Sequence, residues 1–267
     1  MSSEVVSRAT VRSVAVPVEH GGWAFLFQPI ALGLLVAPSW AGLALAFAAL
    51  FVFLAHQPLK IALGDWRRGK VYPRTHLAWR FVAGYGLAAV VAAALSALGG
   101  RPFFWLPLAA GAPFALFQLA MDARKQSREA VAEIAGALAP GSLAPALAVL
   151  GGWDVTRVWP LWPLLACQAV PAILYARARL RLERGQPIAP QGVWLAHGMG
   201  LVVAGALAWA GTGPWLAVAG MAIMLARAAH GLSTWRRPAR ASQVGVQEVV
   251  FSVIYVLLTA MGFAAVN

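Results

Sequence analysis

Residues 40–75 read WAGLALAFAALFVFLAHQPLKIALGDWRRGKVYPRT. A run of apolar residues long enough to cross a bilayer ends in His56, Gln57, Pro58 and Lys60. It then breaks into Asp65, Trp66, Arg67, Arg68, Lys70 and Arg74. About 20 apolar residues are what a membrane helix needs, and cations crowd the cytoplasmic ends of such helices. This one stretch therefore sets both the fold class and the orientation. Pro58 lacks an amide hydrogen and lies between His56 and Lys60, so a kink with freed carbonyls is expected there.

The rest of the chain repeats the pattern. Of 267 residues, 61% are hydrophobic and 11% charged, and the mean hydropathy is +0.72. Soluble domains carry about 25% charged residues. Apolar runs lie at 23–36, 40–63, 77–98, 103–121, 129–150, 159–176, 193–210, 215–229 and 248–266, nine in all. They predict an all-α polytopic membrane protein, with residues 1–18 as a cytoplasmic tail and 19–267 as one integral membrane domain.

Charge placement orients the spans. With the N-terminus inside, the loops at 64–76, 122–128, 177–192 and 230–247 are cytoplasmic. Of the 21 Lys and Arg, only Arg101 and Arg157 then face out. The positive-inside rule accounts for such a bias, so the net charge of +12 points to a membrane and not to nucleic acid. Acidic residues follow: Glu19, Asp65, Asp122, Glu129, Glu133, Glu183 and Glu248 fall near the same face. We expect a bacterial inner membrane protein with an external C-terminus. The lone Cys167 excludes an intramolecular disulfide and a cysteine metal cluster.

Several groups at that face are candidates for ligand contact. Glu19-His20-Gly21-Gly22-Trp23 opens the first run, where a helix N-terminus favours an anion. The plain alternative is a cap with Trp23 as an interfacial anchor. His56 and Lys60 are four apart and share a helical face. Arg80 begins the third run. Arg124, Lys125, Arg128 and Glu129 follow the fourth, with Lys125, Glu129 and Glu133 spaced for one face of a helix. Arg227 and Glu248 flank the last inner loop as a candidate buried ion pair. Arg177, Arg179, Arg181 and Arg184 read as a solvated face. No nucleotide loop, zinc motif or serine-hydrolase motif occurs, so no cofactor, metal or catalytic residue is assigned.

Glu19-His20-Gly21-Gly22-Trp23 with Pro29, the 124–129 segment, and Arg227 followed by Gly245-Val246-Gln247-Glu248 together resemble the YwiC-like family of bacterial membrane proteins. Nine helices with long inner loops after the second, fourth and sixth, and Asp122-Ala123-Arg124-Lys125 before a Gly/Pro-rich helix, are more distantly similar to the UbiA prenyltransferase superfamily. That likeness implies a UbiA-like helix arrangement. It also implies two Asp clusters that hold magnesium and a prenyl diphosphate, but the matching positions here carry His56–Lys60 and Tyr175–Arg181. Cations cannot ligate magnesium, though they can neutralise a phosphate directly. The expected function is binding or processing of a lipid or isoprenoid with an anionic headgroup at the cytoplasmic face. A small-molecule transporter and a non-enzymatic assembly factor are the alternatives.

The topology carries a direct test. A periplasm-active reporter fused after Asn267 should be active, and the same reporter inserted within 177–192 should be silent. A cytoplasmic C-terminus would contradict the nine-run reading.

Overall fold

Hydrocarbon offers no partner to a backbone amide, so a spanning segment must bond internally as helix. The computed structural model describes residues 8–16 and 20–266, and it is all-helical, with no strand among them. In chain order the helices are α1 (Arg8–Ala15), α2 (His20–Val36), α3 (Trp40–Arg67), α4 (Pro73–Ala97), α5 (Trp105–Ala123) and α6 (Ala130–Gly141). Then come α7 (Leu143–Leu150), α8 (Leu161–Glu183), α9 (Gln191–Trp209), α10 (Trp215–Leu232) and α11 (Ala241–Val266). Every apolar run of the sequence is helical. Among the described residues, eight spans are long and apolar enough to cross a membrane, α6 and α7 together making one of them. The first run, α2, has 17 residues, at the short end of what crosses.

The chain forms two compact units, one from Met1–His20 and Trp40–Gly100, the other from Gly21–Ser39 and Arg101–Asn267. In the first, α3 and α4 lie side by side as a hairpin and α1 packs on both. The segment expected as a cytoplasmic tail thus contains a helix. Val14 of α1 is buried against Ala62 and Ala78, and the Tyr85 hydroxyl donates to the Ala15 carbonyl at 3.1 Å. Small residues at 62 and 78 let the two long helices approach closely.

In the second unit α8 is the central helix, touching α6, α7, α9, α10 and α11. Its Leu161 and Leu164 are fully buried with Leu147, Met221 and Tyr255. All eight residues of α7 are buried, so this short segment is walled by protein on every side. A Cβ on Gly33 would stand 2.7 Å from the Leu147 Cβ, so only glycine lets α2 lie this close to α7. Outward faces carry Leu116, Val202 and Met261, as lipid contact requires.

Three local readings change. α3 continues through Pro58 to Arg67 and α8 runs past Ala176 to Glu183. Arginine, lysine and glutamate favour helix, and long cationic side chains reach the interface from such extensions. Lys125 does not share a helix with Glu129 and Glu133. α5 stops at Ala123, Lys125 takes a left-handed φ of 60°, and Glu129 is the N-cap of α6.

Candidate functional site

In the first unit the polar end of the hairpin is built on Asp65. Its side chain is 3% exposed, and a buried carboxylate is stable only when paired and bonded. Arg74 supplies two donors, Nη2 at 3.0 Å from Oδ1 and Nε at 3.3 Å from Oδ2. The Thr75 hydroxyl donates to Oδ2 at 2.8 Å and accepts the Tyr72 amide at 3.0 Å. The Arg74 guanidinium also covers the Tyr72 ring at 5.0 Å. The Asp65 carbonyl accepts the amides of Arg68 and Lys70, and Gly69, with φ of 64°, turns the chain between them. Asp65 therefore anchors the whole basic loop from beneath.

Beside this anchor is a half-open cavity of about 370 Å³, lined by Ser13 and Val14 of α1 and by Lys60, Ile61, Gly64, Asp65, Arg68 and Arg74. Three cations face one carboxylate there. Lys60 is exposed and Arg80 is exposed on α4, while His56 is half-buried in α3. Neither His56 nor Arg80 lines the cavity. His56 and Lys60 both have interaction partners. They lie about 16 and 10 Å before the end of α3 at 1.5 Å per residue. His20 begins α2, but its side chain and all of Glu19 lie outside the described residues.

In the second unit, Arg124, Lys125, Arg128 and Glu129 are exposed around the α5–α6 turn. Arg177 of α8 reaches this turn, donating to the Arg128 carbonyl at 2.7 Å and pairing with Glu133 at 2.9 Å. Glu133 thus holds an arginine. Among the described residues no group of three or more His, Cys, Asp or Glu is placed to hold a metal.

The more deeply buried polar cluster lies among α8–α11. Arg227 and Glu248 form an ion pair through Nη1 and Oε1. The guanidinium carbon of Arg227 sits 4.0 Å from the Tyr175 ring centroid and 5.5 Å from that of Phe251, within cation–π range. Gly231 leaves room for the Tyr175 hydroxyl, which a Cβ there would strike. One turn beyond Tyr175, Arg179 pairs with Glu183 at 2.8 Å. It also donates to the carbonyls of Gly231 and, at 2.6 Å, Arg237. Arg236 approaches Glu183 at 3.7 Å. His197 Nδ1 bonds the Val193 carbonyl at 2.8 Å, and Gln168 donates to the Ser252 hydroxyl at 2.7 Å.

The sequence offers Arg227 and Glu248 as an ion pair, which forms, but its pattern around Arg179 reads as a solvated face. Arg179 is buried. Its spacing from Tyr175 and Gln168, four and eleven residues, follows one face of a helix and is the signal that separates it from exposed Arg181 and Arg184. His197 stands inside an apolar run with no neighbouring charge, and only its burial draws notice.

The ion pair makes a quantitative prediction. Arg227→Met alone leaves a buried carboxylate unpaired and should cost about 3–5 kcal/mol, whereas Arg227→Met with Glu248→Met should cost less than either single change. Thermal unfolding of the single and double variants measures this, and equal or additive losses would contradict it.

A family model described as YwiC-like protein matches residues 16–148. No curated protein and no solved structure matches the chain, so the likeness to UbiA prenyltransferases rests on motifs and helix order alone. The matched region takes in the Asp65 anchor, the part of its cavity lined by residues 60–74, and the 124–129 turn; the α1 side of the cavity, Ser13 and Val14, lies before it, and Arg227 and Glu248 lie after it. Over residues 16–148 this multi-pass membrane protein belongs to the YwiC-like family.

Proposed function

We propose that the chain binds a membrane lipid or isoprenoid with an anionic headgroup, at the cytoplasmic face of the inner membrane, through the basic cavity of its first unit. The observation that carries this reading is the cavity lining, in which Lys60, Arg68 and Arg74 outnumber Asp65. At about 370 Å³ it falls at the lower end of the range for small-molecule sites, which suits a headgroup more than a whole lipid. Guanidinium and ammonium groups bind phosphate without a metal. Their placement at the end of two apolar helices leaves an acyl or prenyl tail in the bilayer. Bidentate pairing with Asp65 pre-orders Arg74, so less side-chain entropy is lost on binding. Arg80, exposed on α4, adds positive charge to this unit and would draw anionic lipid towards it.

The test uses nanodiscs of phosphatidylcholine with and without phosphatidylglycerol. Each cation near an anionic surface contributes about 1 kcal/mol. Lys60→Ala should therefore lower retention of the anionic lipid about fivefold, and Lys60→Ala with Arg68→Gln further still, with expression nearly intact. A Lys60→Ala protein that only expresses less well, with unchanged lipid preference, would make Lys60 an anchor and overturn the reading.

A further inference from the structure

Arg227 is 8% exposed, and His197 and Gln168 are wholly buried. Arg227 uses Nη1 on Glu248 and lays its face on Tyr175. Its remaining donors are Nε and Nη2, and neither has a hydrogen-bond partner among the described residues. Buried N–H groups are normally satisfied. These two are not scattered: Nε–H and one Nη2–H project in parallel from one edge of the guanidinium plane. That edge matches two oxygens of a carboxylate or phosphate. Nη1, which grips Glu248, is the nitrogen that takes no part in it.

Arg227 is paired with Glu248, while Arg179 and Arg236 share Glu183. Arg227 lies about 8 Å from the end of α10 at 1.5 Å per residue, and Arg179, Glu183 and Arg236 stand nearer the loops. Ionisable groups held at such depth mark ligand or ion paths more often than scaffolding.

We propose that the Nε–Nη2 edge of Arg227, floored by the Tyr175 ring, is a binding site for a single oxyanion, a carboxylate or phosphate group buried among α8–α11. This site lies outside the region matched by the family model and does not rest on the reading of the basic cavity.

The experiment uses the full chain in phosphatidylcholine nanodiscs, with thermal unfolding followed by a thiol-reactive dye at Cys167, the single and buried cysteine. The probes are inorganic phosphate and acetate in solution, and phosphatidic acid doped into the disc. At least one should raise Tm saturably. Arg227→Lys keeps the charge and the pairing with Glu248 but loses the edge, and it should weaken that response about tenfold or more. A response to the soluble ions alone identifies a free anion, and a response to the doped lipid alone identifies a headgroup. No saturable response to any probe, or one unchanged in Arg227→Lys, overturns the proposal. If that variant does not fold, wild-type protein labelled with 15N-arginine decides. A slowly exchanging guanidinium Nε signal that shifts saturably supports the site, and none shifting overturns it.

Discussion

A chain in hydrocarbon must satisfy its own polar groups, because the solvent will not. That constraint makes every apolar run of this protein a helix and decides where charge can stand. Asp65 is buried, and Arg74 and Thr75 surround it. Glu248 is largely buried, and Arg227 is its counter-ion. Arg179 is buried, and it takes Glu183 and two carbonyls. In each case the carboxylate or guanidinium lies near a helix end, so the longest apolar stretches stay free of ions. The same logic explains the wall of small residues. Ala62, Ala78 and Gly33 let helices approach closely by packing, which between α3 and α4 adds to the bonds of Asp65.

The two polar clusters differ in kind. At the end of the α3–α4 hairpin, Asp65 is saturated and works as a fixed base for a loop whose other cations face outward. Among α8–α11 the groups are enclosed, partly stacked on aromatic rings, and keep donors in reserve. The first arrangement suits attraction of something already at the surface. The second suits selection, because a buried guanidinium edge with a fixed ring beneath it accepts few shapes. Membership of residues 16–148 in the YwiC-like family bears on the first cluster and leaves the second to be read from its own chemistry.

Helix content and number were legible because hydropathy and the lipid environment act on the same variable. Each apolar run became helix, and only the length of α2 falls short of the other spans. Helix ends were less legible. Lys, Arg and Glu mark a membrane edge to hydropathy but extend a helix by propensity, so α3 and α8 outrun their apolar cores. Spacing misled at Lys125, since the rule for helical faces holds only within one helix and α5 ends at Ala123. It was neglected at Arg179, where alternation with Ala178 and Leu180 resembles a solvated face although the residue follows Tyr175 by one turn. The Arg227–Glu248 pair was readable across its loop because opposite charges at two helix ends have few other partners. The Asp65–Arg74–Thr75 contacts need the hairpin closed before they exist, and no local pattern announces them.

Lipid retention is the property from which the rest of the functional account follows. Native mass spectrometry of the full chain, released from mild detergent after purification from its membrane, measures it directly. The account predicts a discrete adduct with the mass of an anionic lipid or isoprenoid phosphate, persisting at activation energies that strip zwitterionic lipid and reduced by Lys60→Ala. A bare protein peak, or adducts that follow bulk lipid composition without preference for anionic species, would contradict it.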